Sequence, residues 1–237
     1  MSVAYFLVSH GSSSPRSLLA VHQVRDALRE MLPQMLIEGG CLEGQAQSLT
    51  EQCASFVSSA QQQGYAQVRL IPLFLSAGSH VLQDIPTAIA RVAHPLPISI
   101  TDYFGNFSLI PDYLEQKFRH GQVGNWSTAR LLIWHGSRQA VGRQRIKQIA
   151  DHLSARTATW SDPQSISGQI EQLIAGGTER IYALPYFLFA GKTTEAIAAI
   201  LQSYPDQVIC LPLPFSTADI AEIVCAEIIK KPKSVER

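Results

Sequence analysis

The 237-residue sequence is short of charge: Asp, Glu, Lys and Arg make up 16% of it, with 19 acidic residues set against 19 lysines and arginines. That balance removes any global electrostatic pull toward nucleic acid or an anionic membrane, so an anion site has to be local. Cysteine is scarce too. Cys41, Cys53, Cys210 and Cys225 show no CxxC spacing, which argues against a structural zinc site or a disulfide scaffold and fits reduced thiols in the cytoplasm. The opening MSVAYFLVSHG has no basic flank, and its apolar run is too brief for a signal peptide or a membrane span.

What the chain has is apolar content, 46%, in a regular rhythm. Short β-branched runs alternate with amphipathic stretches, which predicts βα units feeding a mostly parallel sheet. The strand candidates are VAYFLVS, LIEGGCLE, QVRLIPLFL and PISI, then ARLLIWH, TATWS, RIYALPYFLF and QVICLPL. Helical periodicity fills 16–31, 49–63, 80–92 and 108–119, then 139–154, 163–175, 192–202 and 217–230. The second set repeats the first. His10 maps to His135 at an offset of 125, and PLFLSAG at 72–78 maps to PYFLFAG at 185–191 at an offset of 113. An α/β fold of two similar domains follows, each with a mostly parallel four-stranded sheet flanked by helices. Their expected spans are 1–122 and 123–237, joined through the polar HGQVGNWST at 120–128.

The ionisable residues of the first half stand at corresponding places: His10 ends the first strand, Glu43 follows the second, and His80 lies beyond the third. In a doubly wound sheet of order 2-1-3, the carboxyl edge of strand one is the switch-point crevice where ligands bind. Three neighbouring loops would bring these side chains together, and two imidazoles with a carboxylate suit a borderline divalent metal with open coordination positions. The bland readings are a solvated histidine and a surface glutamate; the small residues around both histidines, in SHGSS and AGSH, favour close approach by a ligand. Gly11, Ser12, Ser13 and Ser14 precede a helix and either cradle an anion or merely cap it. Arg16 and Arg138 either reach an acidic ligand or are solvated. In the second copy Thr193, preceded by Lys192, stands where His80 would be, and an ungapped alignment sets Trp160 against Glu43. His135 then either faces the same cleft or is a relic held by packing. His22, His94, His120 and His152 are given no role.

The first-half pattern, a strand ending in HG-S, a glutamate after strand two and PLFLSAGSHVLQDIP, resembles the class II tetrapyrrole chelatases of the sirohydrochlorin cobaltochelatase and ferrochelatase (CbiX/SirB) type. WHGSR and PYFLFAG resemble the C-terminal half of the long, duplicated members. The resemblance covers nearly the whole chain and implies a lyase that inserts a divalent metal, Co²⁺ or Fe²⁺, into a carboxylate-rich tetrapyrrole without ATP, for cobalamin or sirohaem synthesis. It implies metal handling by His10 and His80 with Glu43 beside them, all three catalytic. Substrate carboxylates would meet Gly11, Ser12, Ser79, Ser137, Arg138 and Lys192. Leu75 and Phe187 belong either under the ring or in the core. The ending KKPKSVER has neither a His-rich tail nor a cysteine cluster, so no iron–sulfur centre or other tightly bound cofactor is expected. The expected partner is a sirohydrochlorin-type tetrapyrrole, with no nucleic acid and no membrane, and the chain is expected as a monomer or weak homodimer.

Two other classes fit less well. A histidine phosphatase has arginine directly before its His-Gly, whereas this chain has Ser9 and Trp134, and G-x-S-x-G is absent around either His-Gly-Ser. A carrier of metal or tetrapyrrole without turnover is the remaining alternative.

Overall fold

The computed structural model describes residues 2–11, 15–93, 95–121 and 126–230. The first half runs β1 (Val3–Gly11), α1 (Pro15–Met31), β2 (Ile37–Glu43), α2 (Leu49–Gln62), β3 (Gln67–Pro72), a π-helical turn (His80–Asp84), α3 (Ile85–Ala90), β4 (Ile98–Ile100) and α4 (Ile110–Gly121). The second runs β5 (Thr128–Trp134), α5 (Ala140–His152), β6 (Ala155–Thr159), α6 (Pro163–Ala175), β7 (Arg180–Pro185), α7 (Lys192–Leu201), β8 (Val208–Cys210) and α8 (Thr217–Ile229). Two parallel four-stranded sheets result, ordered β2-β1-β3-β4 and β6-β5-β7-β8, so the expected 2-1-3 core is present in each. Among the described residues no helix is long and apolar enough to cross a membrane.

The duplication is visible bond by bond. Leu73 donates its N–H to the Val8 carbonyl at 2.7 Å, and Tyr186 donates to Ile133 at 2.7 Å; donors and acceptors obey the two offsets separately. The contact recurs where Thr101 donates to Leu70 and Leu211 to Ala183, the acceptors again obeying the second offset and the donors a slightly shorter one.

β1 sits mid-sheet, and its run from Ala4 to Ser9 is buried without a break, as expected of a parallel strand covered on both faces. Beside it β2 passes so close to its helices that side chains are excluded. A Cβ on Gly39 would stand 2.8 Å from Val21 of α1, and one on Gly40 would stand 2.8 Å from the Phe6 ring. Phe6 in turn packs on Phe56 of α2 at 5.1 Å between centroids. The second sheet is held by Leu131, Ile133, Ile166, Ile170, Ile181 and Ile197, all fully buried. Each such side chain contributes about 1.5–3 kcal/mol by leaving water.

Several boundaries differ from the sequence reading. β3 and β7 end at Pro72 and Pro185, because the next amide, Leu73 or Tyr186, closes the ladder and the chain then leaves the sheet. β6 begins at Ala155, two residues earlier than expected, with Ala155 pairing with Arg130. The helix expected over 80–92 opens as a π turn.

Compact packing groups the described residues of 1–73, 83–107 and 216–237 in one unit and those of 74–82 and 108–215 in the other. Each unit therefore takes a helix from the far half of the sequence. In the first, α8 packs on α1 and buries Ile220, Ala221, Ile223 and Val224. In the second, α4 is tied down by Glu115, which accepts from Arg130 of β5 at 2.6 Å. Arg130 also lies over the Phe118 ring, and Tyr113 stacks on Phe215 at 5.4 Å.

Candidate metal centre

β2, β1 and β3 are adjacent and parallel, so the segments leaving them emerge at one edge, with neighbouring strands about 4.8 Å apart. His10 is the next-to-last residue of β1 and the first exposed one after the buried run. Its Nδ1 lies 2.8 Å from the carbonyl oxygen of Gly11. A carbonyl only accepts, so Nδ1 is the donor in this contact, and Nε2 is the ring nitrogen left to face a metal.

Gly11 has φ +78°, and a Cβ there would collide with the Glu43 carbonyl oxygen and stand 2.8 Å from Cys41 Cβ. The position demands glycine, and its absence of a side chain lets the ends of β1 and β2 close together. Gly11 and Glu43 are register partners. Glu43, exposed at the end of β2, is steadied from α2. Gln52 accepts the Cys41 N–H at 3.1 Å and donates to the carbonyls of Cys41 at 3.0 Å and Gln47 at 2.9 Å. One amide thus completes the open edge of β2 and pins the loop after it. Nothing in a single sequence marks Gln52 for this, since its pattern is that of any polar helix position.

His80 is the first residue of the π turn, half-buried, with its ring 6.2 Å from that of Phe74. The outcome is a cluster: one ligand atom each from His10, Glu43 and His80, all within 4.8 Å of one another. Ligands bound to one tetrahedral ion at about 2.1 Å stand roughly 3.4 Å apart, so small side-chain adjustments suffice. Three donors leave part of a coordination sphere open. Cys41, which touches Ser9 Oγ at 3.3 Å, is no competing ligand: burial pushes its thiol up, against a smaller lowering by the Ser9 hydrogen bond, and a thiol that stays protonated does not ligate well.

The residues expected to meet carboxylates are placed less distinctively. Gly11 and Ser79 adjoin His10 and His80. Ser12 lies outside the described residues, as do Ser13, Ser14 and the Arg16 side chain. Ser137 is half-buried and accepts the Gln139 N–H at 3.1 Å, a turn contact just before α5. Arg138 is exposed, and so is Lys192, which opens α7. Phe187 packs against the second core.

The second half corrects the ungapped alignment. Trp134 pairs with Thr159 as Ser9 pairs with Cys41, so the counterpart of Glu43 is Ser161 and not Trp160. A Cβ on Gly136, φ +94°, would collide with the Ser161 hydroxyl, where a Cβ on Gly11 meets the Glu43 backbone carbonyl. His135 is exposed with Nδ1 3.4 Å from the Gly136 carbonyl, but its companions are Ser161 and Thr193, two hydroxyls. Among the described residues, the first-half trio is the one cluster of histidine, cysteine and carboxylate side chains arranged to hold a metal.

The chain is 28% identical over 79 residues to a sirohydrochlorin cobaltochelatase of Methanosarcina acetivorans, and 25% identical over 83 residues to one of Methanosarcina barkeri. The matches cover 33% and 35% of this chain, and 58% and 61% of those proteins, less than two thirds of their length. The structure of SirB from Bacillus subtilis with Fe³⁺ superposes with a TM-score of 0.80 at 18% identity, covering 96% of this chain and 94% of that one. That of CbiX, the terminal enzyme for biosynthesis of siroheme in denitrifying bacteria, gives 0.68 at 22% identity, covering 94% and 98%. At these identities the two structures share the fold. The CbiX family model matches residues 4–120 and again 129–228, once in each copy of the repeat, and the chain belongs to the CbiX family.

Proposed function

We propose that the protein is a sirohydrochlorin chelatase, a lyase that inserts Co²⁺ or Fe²⁺ into a carboxylate-rich tetrapyrrole without ATP. The observation that carries this reading is the cluster of His10, Glu43 and His80 within 4.8 Å at the carboxyl edge of a sheet. The relatives named for this reaction support it. Insertion exchanges one divalent ion for two pyrrole protons, so the site needs weak ligands and proton acceptors together. Neutral imidazole serves as both near neutral pH. His10 and His80 hold the incoming ion, release it to the ring nitrogens and accept the displaced protons. Glu43 offsets the ion's charge and takes or relays a proton. Four protein ligands would close the coordination sphere against the ring; three leave it open.

Residues 1–122 and 123–237 are read as the two copies of the duplication, the first carrying the chemistry. Gly11, Ser12, Ser79, Ser137, Arg138 and Lys192 are proposed to receive substrate carboxylates. The protein works in the cytoplasm as a monomer or weak homodimer, with no tightly bound cofactor and no iron–sulfur cluster, in cobalamin or sirohaem synthesis.

The test is anaerobic absorbance of sirohydrochlorin with Co²⁺ or Fe²⁺ and purified protein, for the wild type and for His10→Ala, Glu43→Ala and His80→Ala. Multiple turnovers by the wild type, lost in all three variants, are expected. Product that stops at one equivalent of protein means a carrier, and wild-type insertion no faster than in buffer overturns the chelatase reading.

A further inference from the structure

Among the described glycines, Gly142 is set apart by what it touches. It is the third residue of α5 and buried. A Cβ built on it would stand 3.0 Å from the carbonyl oxygen of Ala77 and 3.1 Å from Ser137 Oγ. Glycine within a helix costs about 0.5–1 kcal/mol relative to alanine, so a buried one at this separation marks a surface where the chain needs the space. Gly168 of α6 has nothing within 4 Å of the same point. The repeat does not demand glycine either, since at the offset of 125 the first half has Ser17.

The surface under Ala77 is firm. Ser137 Oγ accepts the Gln139 N–H, and Arg143, one residue beyond Gly142, donates to the carbonyls of Ser137 and Arg138. Ala77 is 1% exposed and stands three residues before His80. Packing groups its segment, 74–82, with the residues of α5 rather than with β3 and α3 on either side. From Ala77 the backbone leads directly to the metal ligand: the Gly78 N–H bonds Ser76 O at 3.0 Å, and Gly78 O accepts the Leu82 N–H at 3.0 Å, the bond that spans His80.

We infer that Gly142 is a positioning residue for His80: its bare Cα lets the Ala77 carbonyl settle on α5, and that contact sets the π turn from which His80 reaches the metal. A methyl group at 142 pushes on a peptide carbonyl that cannot flex independently of the turn. The second half of the duplicated chain, without a metal trio of its own, thereby contributes to the site of the first by holding one of its ligands. The inference rests on reading His10, Glu43 and His80 as metal ligands.

Co²⁺ titration of the full chain, followed by its visible absorption, tests it. Gly142→Ala is expected to weaken Co²⁺ binding roughly 10-fold, the size of effect usual for groups that orient a metal ligand, and to shift the absorption band. Gly168→Ala should match the wild type. In a His80→Ala background, Gly142→Ala should leave the residual Co²⁺ binding unchanged, because an effect that passes through His80 cannot add to its removal. Wild-type affinity and spectrum in Gly142→Ala overturn the inference, as does an equal loss with and without His80. If Gly142→Ala does not fold, Ala77→Gly, which slackens the same segment, is expected to weaken Co²⁺ binding only when His80 is present; an equal or absent effect again overturns it. A wild type lacking any Co²⁺ band that His10→Ala removes overturns the site assignment itself, and the inference with it.

Discussion

Gly11 and Glu43 are register partners at the ends of β1 and β2, and the carbonyl oxygen of Glu43 occupies the space a side chain at Gly11 would need. The close approach that brings the carboxylate toward His10 is therefore the same contact that restricts position 11 to glycine. In the second half Gly136 faces Ser161 at the corresponding position, but there the space is taken by the serine side chain and not by a backbone carbonyl.

Gly11→Ala should accordingly damage both stability and metal binding. The left-handed backbone alone costs an alanine about 1–2 kcal/mol, and the collision with Glu43 must be relieved by parting the two strand ends. Urea denaturation should show a lowered midpoint, and Co²⁺ titration a weakened site. Unchanged values in both would mean that the ends of β1 and β2 adapt freely and that their contact does not set the cluster.

His135→Ala, by contrast, should leave Co²⁺ affinity and insertion rate unchanged. His135 copies His10 in sequence and in its contact with the following carbonyl. Yet Ser161 and Thr193 replace the carboxylate and the second imidazole, and two hydroxyls do not hold a divalent ion that one imidazole cannot. Steady-state rates at varied metal and varied tetrapyrrole decide it. A raised KM for the tetrapyrrole alone would place His135 against the ring rather than leaving it a relic.

The convergence of His10, Glu43 and His80 was legible because each follows an apolar run, and a parallel sheet fixes where such runs end. The 2-1-3 order needed only the βα rhythm. The register of β6 was not legible: TATWS looks like a strand, but pairing with Arg130–Trp134 starts the ladder at Ala155, and a slip of one residue exchanges Trp160 for Ser161. Nor was the exchange of α4 and α8 between units. An amphipathic pattern tells which face of a helix is apolar and not which sheet will cover it; for α4 the tie lies in Glu115 and Arg130, an ordinary-looking pair of charges. The π turn at His80 is not legible in the periodicity over 80–92, since Pro86, two residues past the turn, fits equally well in a first helical turn.

The Glu115–Arg130 pair should make the protein sensitive to acid. Both side chains are mostly covered, at 18% and 16% exposure. Burial pushes the Glu115 carboxyl up, but hydrogen bonds from Arg130 and Arg119 and their charges outweigh it and hold the group below its ordinary value. A folded-state pKa below the unfolded one stabilises fully above the unfolded value, near 4.3 for glutamate, and that contribution is lost as pH falls through the folded value. Glu115→Gln should thus destabilise by about 1–2 kcal/mol at pH 7, with the difference from wild type shrinking as the pH drops below about 4. Urea midpoints at several pH values measure this; a difference independent of pH would show that shape rather than charge is what Glu115 supplies.

Thiol chemistry offers a separate check on the packing of the unit that contains β2, α2 and α8. Cys41, Cys53 and Cys225 are buried and Cys210 is exposed. Burial pushes the Cys53 thiol up to about 12, and the thiolate is the reactive form, so Cys53 is protected twice, by access and by protonation. Cys210 is reachable, but partial burial of its sulfur raises its pKa as well, so it should react slowly at pH 7 and faster as the pH rises. A chromogenic disulfide reagent should therefore release one equivalent from the native protein and four in urea, with the native signal absent in Cys210→Ser. Rapid native release of a second equivalent would mean that β2, α2 or α8 opens far more readily than its burial implies; if α8 were the source, the packing of that helix on α1 would be the contact in question, and Cys225→Ser would remove the extra equivalent.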